Sequence, residues 1–137
     1  MKLSMHGIVA SLGAATILAL WQDWISALFF FCSAFLIDAD HVLDYLIIHR
    51  RFDIKAMLRG HFYKDRIYVL LHSAEIPIIA LLIWPGIYST AFATGYFLHL
   101  VMDMAEYSFR NPLLTYFLSY RLAVGFSKKK ICADLHG

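Results

Sequence analysis

Cysteine is scarce in this chain: two residues in 137, Cys32 in an apolar run and Cys132 in the tail. That number and spacing provide neither a disulfide framework nor a cysteine-based metal motif, and redox chemistry is not suggested. Charge is scarce as well, with Asp, Glu, Lys and Arg making up 16% of the residues. Three prolines and seven glycines leave long stretches without a break signal. There is no low-complexity segment and no internal repeat. The chain also lacks a GxxxxGK[ST] loop, a GxGxxG turn and a GxSxG elbow, which removes the common signatures of nucleotide binding and serine hydrolysis. No basic-aromatic pattern of a nucleic-acid module is present, so no nucleic-acid partner is expected.

What is present is apolar sequence. Hydrophobic residues are 61% of the chain and the mean hydropathy is +0.63, above the roughly 45–50% apolar content of soluble domains. The charges fall mainly in blocks between long charge-poor runs, the pattern of alternating membrane spans and loops. The expectation is a single all-α, integral membrane domain with four transmembrane helices at about 7–21, 25–48, 67–84 and 87–105. The first run has the basic start of a secretory signal, but the stretch near Leu20-Trp21-Gln22 offers no small-x-small cleavage pattern, and a membrane helix is the better reading.

Residues 49–66 carry six Lys or Arg against Asp53 and Asp65. Such a surplus belongs on the cytoplasmic side. Arg110-Asn111-Pro112 reads as a helix start, with asparagine capping and proline at the first helical position. The apolar piece that follows, 112–126, is interrupted by Arg121 and trailed by Lys128-Lys129-Lys130. It is read as a cytoplasmic interfacial helix, because a fifth span would carry the lysines outward. Both termini are then cytoplasmic, and membrane lipid is the expected environment.

Against this background Asp38-Ala39-Asp40-His41 is out of place, since ionised groups at membrane depth are costly unless they face a cavity, a partner or a metal. At about 1.5 Å rise per residue, His6, Asp38, Asp40, His41, His72, His99 and Asp103 all fall roughly 18–26 Å from the outer face of a ~30 Å core, with Glu75 deeper at roughly 14 Å. Asp38 and His41, His72 and Glu75, and His99 and Asp103 are three or four apart and would share helix faces. Imidazole and carboxylate donors without thiolate suit Zn²⁺, Mn²⁺ or Fe²⁺. The candidate metal ligands are therefore these seven histidines and aspartates, and Glu75 is the candidate general base. Without an ion, the same groups read as a helix exit at the head groups and as buried carboxylate-histidine bonds that set helix packing. His49 and His61 read as solvated loop residues.

Asp38 and Asp40 are about 200° apart on an unbroken helix. Either the helix loosens near Ile37 or one aspartate points away, and Asp38 with His41 is expected to face the site. These residues resemble the membrane-bound metal-dependent hydrolase family of small bacterial and archaeal inner-membrane proteins. The resemblance is carried by His6-Gly7, Asp38-Ala39-Asp40-His41, His72-Ser73 and Gly95-Tyr96-x-x-His99-x-x-x-Asp103. Two departures mark a divergent member: Ile37 stands where the family often has proline, and 67–71 lack a His-Arg-Gly stretch. The resemblance implies a bacterial or archaeal plasma membrane, a divalent metal such as zinc, and hydrolysis; the expected substrate, a phosphoester or lipid head group, follows from the location of the polar groups in the cytoplasmic half of the bilayer. The competing reading is a non-enzymatic metal-binding or ion-handling membrane protein.

Overall fold

A computed structural model describes residues 3–50, 66–106 and 109–132. The described residues are predominantly helical and contain no strand, so the fold is all-α. The chain divides into two compact units, residues 1–37 with 74–106 and residues 38–73 with 107–137.

The first unit holds α1 (Leu3–Trp21), α2 (Trp24–Phe35), α4 (Glu75–Ile83) and α5 (Ile87–Glu106). Helix α2 packs most extensively against α5 and also against α1, while α4 leans on α5. Between α1 and α2 the chain turns at Gln22, whose φ is +52°. Asp23 then caps α2, accepting from the backbone N–H of Ile25 (3.1 Å) and Ser26 (3.3 Å) and from the Ser26 hydroxyl (2.6 Å). The Ser26 hydroxyl bond, reinforced by the two amides, holds the Asp23 carboxyl below its ordinary pKa.

Small residues make the interior of this unit: Ala10, Ala27, Ala34 and Ala91 pack with Ile17 and Phe30. Gly95 allows the closest approach, since a Cβ there would collide with the Phe30 carbonyl and the Ser33 hydroxyl of α2. The Phe30 ring similarly occupies the space over Gly13 of α1. Large apolar side chains face outward, with Leu82 76% and Ile83 79% exposed.

The second unit begins where the helix changes pitch. Leu36–Asp38 form a tighter 3₁₀ turn, and α3 (Ala39–His49) continues from it to Arg50, which closes the helix in the left-handed region. From Trp24 to His49 this makes 26 residues, the one described helix long and apolar enough to cross a membrane.

The expected span at 67–84 is helical only over Glu75–Ile83. Pro77 accounts for the late start: it has no N–H to bond the Ser73 carbonyl, and its ring crowds that carbonyl, so the helix begins within the turn that contains it. The expected helix at 112–126 is also broken, into α6 (Pro112–Thr115) and α7 (Leu118–Ala123), with α8 at Lys128–Ile131. Pro112 does open α6, but Asn111 caps nothing with its side chain, which donates to the Tyr120 hydroxyl at 3.2 Å. Gly125, at φ +67°, ends α7 with its N–H on the Leu122 carbonyl and the Phe126 N–H on the Arg121 carbonyl, the paired bonds of a left-handed helix stop. Ile67, Val69 and Ile131 form a small core here. Residues 51–65 of the expected basic loop, including His61, Asp53 and Asp65, lie outside the described residues.

Candidate metal centre

In the second unit, the tightened turn at Leu36–Asp38 and the start of α3 bring Asp38 over His41, with Oδ1 3.6 Å from Nε2. His72 arrives from the non-helical stretch 66–74, its Nε2 3.9 Å from the same oxygen and its ring 4.8 Å from that of His41. One donor atom from each of Asp38, His41 and His72 lies within 4.8 Å of the others. Separations of 3.6 and 3.9 Å are what two donors can adopt when each lies about 2 Å from one ion. Two imidazoles and a carboxylate are also a donor set that zinc, manganese or iron accepts, with room left for further ligands.

Asp40 sits on the other side of His72. Its Oδ2 is 3.5 Å from Nδ1 of that ring and accepts the Leu71 N–H at 2.6 Å. The geometry separates the two aspartates: Asp38 faces Nε2 and Asp40 faces Nδ1. A carboxylate on the distal nitrogen fixes the tautomer and orientation of a ligating histidine.

The path of residues 68–73 is held from both sides. Asp40 and Asp44, one turn apart on α3, accept the N–H groups of Leu71 and Tyr68, the latter at 3.3 Å. Arg121, 1% exposed, donates to the carbonyls of Tyr68 (3.1 Å), Val69 (2.6 Å) and His72 (3.1 Å) and to the Ser73 hydroxyl. A guanidinium thus supplies the donors that a helix would have supplied to these carbonyls. Sequence reasoning missed this role for Arg121. The available signal was a lone arginine inside an apolar run, where such a residue pairs with backbone carbonyls.

The first unit gathers a second set. His6 on α1 and His99 and Asp103 on α5 are all buried. Asp103 approaches both rings, Oδ1 at 3.4 Å from His6 Nε2 and Oδ2 at 3.4 Å from His99 Nε2, while the rings stack with centroids 4.5 Å apart. His99, 0% exposed, also meets the Ala34 carbonyl through Nδ1 at 2.9 Å. A carbonyl only accepts, so Nδ1 carries the proton. Nε2 is then the nitrogen that faces Asp103. Gly95, one turn before His99, is what lets α5 come close enough to α2 for the Ala34 bond.

Glu75 opens α4 and is half-buried. Because His72 precedes the helix, the helical three-residue spacing expected between them does not apply. No described cysteine joins a histidine-carboxylate group; burial instead raises the Cys132 thiol pKa, opposed by the Lys128 ammonium. No family model, no curated protein and no solved structure matches this chain.

Proposed function

We propose that the protein is a membrane-embedded, metal-dependent hydrolase, and the observation that carries this is the convergence of Asp38, His41 and His72 with one donor atom each inside 4.8 Å. Asp38, His41 and His72 would hold one divalent ion, zinc being the first choice, and His6, His99 and Asp103 form a second buried set of suitable donors. When bound, such an ion supplies Lewis-acid polarisation of an ester oxygen and acidifies water. Asp40 and Arg121 orient His72. Glu75 is the sequence's candidate for the carboxylate that would take a proton from water.

The membrane reading draws on the Trp24–His49 helix, of which only 39% is buried across its most apolar window, and on an interior of Ser26, Ser33 and His99 beneath exposed Leu12, Leu20, Leu82 and Ile83. Small and polar inside with large apolar outside is the arrangement that lipid favours. The four-span bundle at 7–21, 25–48, 67–84 and 87–105 then has a third crossing made of the irregular stretch 67–74 followed by α4. Non-helical backbone is tolerated at membrane depth where protein groups satisfy it, which is what Arg121, Asp40 and Asp44 do for residues 68–73. The motifs' resemblance to the membrane-bound metal-dependent hydrolase family supports the same reading, with a phosphoester or lipid head group as substrate and both termini on the cytoplasmic side of a bacterial or archaeal plasma membrane.

The test is metal analysis of purified protein with stoichiometry, followed by phosphodiester and lipid hydrolysis assays on wild type and Glu75→Gln. Bound metal with turnover that Glu75→Gln abolishes is the expected result. A folded protein with no transition metal above background overturns the metal reading. Bound metal without turnover favours the ion-handling alternative.

A further inference from the structure

Charge is segregated among the described residues of the second unit. Among its described residues the carboxylates Asp38, Asp40 and Asp44 are buried or half-buried, whereas the exposed charges are Arg50, Arg66, Arg110, Lys129 and Lys130, all positive. Backbone pairing gathers most of these cations into one place. Arg66 pairs with Ser127, next to Lys128, and Ile67 donates to the Phe126 carbonyl at 3.0 Å. From another part of the chain, Arg110 donates through its backbone N–H to the Ile131 carbonyl and through Nε to the Cys132 carbonyl, both at 2.9 Å. Arg66 and Arg110 are thereby tied to opposite ends of the Lys128-Lys129-Lys130 helix.

The segment between Arg110 and Lys128 carries exposed apolar side chains, Leu113, Leu114 and Leu122. Bare leucines in a segment bounded by cations offer nothing to a nucleic acid, whose phosphates would engage the charges alone. A lipid surface uses both, with phosphates for the cations and the acyl boundary for the leucines.

We infer that the exposed Arg66, Arg110, Lys129 and Lys130 and the half-buried Lys128, together with the exposed Leu113, Leu114 and Leu122 of the segment these cations bound, dock on an anionic lipid leaflet. The inference is independent of the metal reading. It also gives the irregular stretch that begins at Arg66 an anchor at the membrane surface.

The full chain, purified in neutral detergent and delipidated, would be titrated with short-chain phosphatidylglycerol or phosphatidylcholine, and bound lipid read by native mass spectrometry. Wild type is expected to prefer phosphatidylglycerol. The variant combining Lys128→Gln, Lys129→Gln and Lys130→Gln should lose on the order of 100-fold of that preference at low ionic strength, and raised salt should erode it in wild type. Metal content should stay unchanged in the variant, so a failure here is distinguishable from a failure of the metal reading. Lys129→Gln with Lys130→Gln, both exposed, serves as a milder variant if the triple one does not fold. Leu113→Ser with Leu122→Ser should weaken both lipids alike and leave the charge preference intact. Equal binding of the two lipids by wild type, or an unchanged preference in the lysine variants, overturns the inference. So does inorganic phosphate or a short RNA oligonucleotide competing as well as phosphatidylglycerol, which would assign these residues to phosphate in general or to nucleic acid.

Discussion

His72 is the residue on which most of the candidate site turns. One nitrogen faces Asp38 and the other faces Asp40, at 3.9 and 3.5 Å, and its carbonyl is held by Arg121. These contacts give the surrounding residues separable roles. Asp40→Asn should keep the donors Asp38, His41 and His72 but lower metal affinity roughly 10–100-fold, as loss of an orienting carboxylate does; chelator-competition titration with zinc measures it, and unchanged affinity would exclude the orienting role. Arg121→Met strips the buried Tyr68, Val69 and His72 carbonyls of a charged donor and should destabilise the protein by on the order of 3–5 kcal/mol. Thermal or denaturant unfolding in detergent reads that loss, and Arg121→Lys should recover only part of it, because an ammonium lacks the planar fork. The identities of the histidines and aspartates are legible in the sequence because ionisable residues stand out in apolar runs. Their pairing is not, because it depends on where the helix loosens at Leu36–Asp38 and where no helix forms at all.

Among the elements, α2 shows how local chemistry and packing divide the work. Its N-terminus is set locally by the Asp23 cap, whose folded pKa lies below the ordinary value chiefly through the Ser26 hydroxyl. A depressed carboxylate contributes stability that is fully present above its unfolded pKa of about 4 and is lost as pH falls through the lower folded value. The protection of the Ile25 and Ser26 amides, exchange measured relative to the intrinsic rate at each pH, should therefore fall as the pH drops below about 4 in the wild type, and this loss of protection should be absent in Asp23→Ala. The far side of α2 is set by packing. Gly95→Ala would push a methyl into the Phe30 carbonyl and the Ser33 hydroxyl and should cost about 1–3 kcal/mol, measured by unfolding. Gly86→Ala, which meets nothing within 4 Å, should change stability by no more than about 0.5 kcal/mol. Helix α4 was overestimated from sequence because hydropathy registers apolar content but not the bond that Pro77 removes.

For the whole molecule, the two donor sets and the outward leucines lead to two expectations. Purified protein should carry at least about one transition metal per chain by the donor set's chemistry, reduced in His72→Ala and in His99→Ala; full retention in both would mean that neither set binds. Membranes containing the protein should release it with detergent but not with alkaline carbonate, and recovery in the carbonate supernatant would overturn the membrane reading.

The sequence by itself determined the all-α class, the apolar character and which histidines and aspartates are candidates to meet in a site. Each of these follows from local composition or from the cost of placing charge in an apolar run. Only the tertiary structure decided which nitrogen of His72 faces which aspartate, that Gly95 brings His99 to the Ala34 carbonyl, and that Arg121 holds up an unhelical strand of backbone. The last of these rests on bonds between residues 48 to 53 positions apart, and no local pattern encodes where a guanidinium that distant will find carbonyls outside a helix.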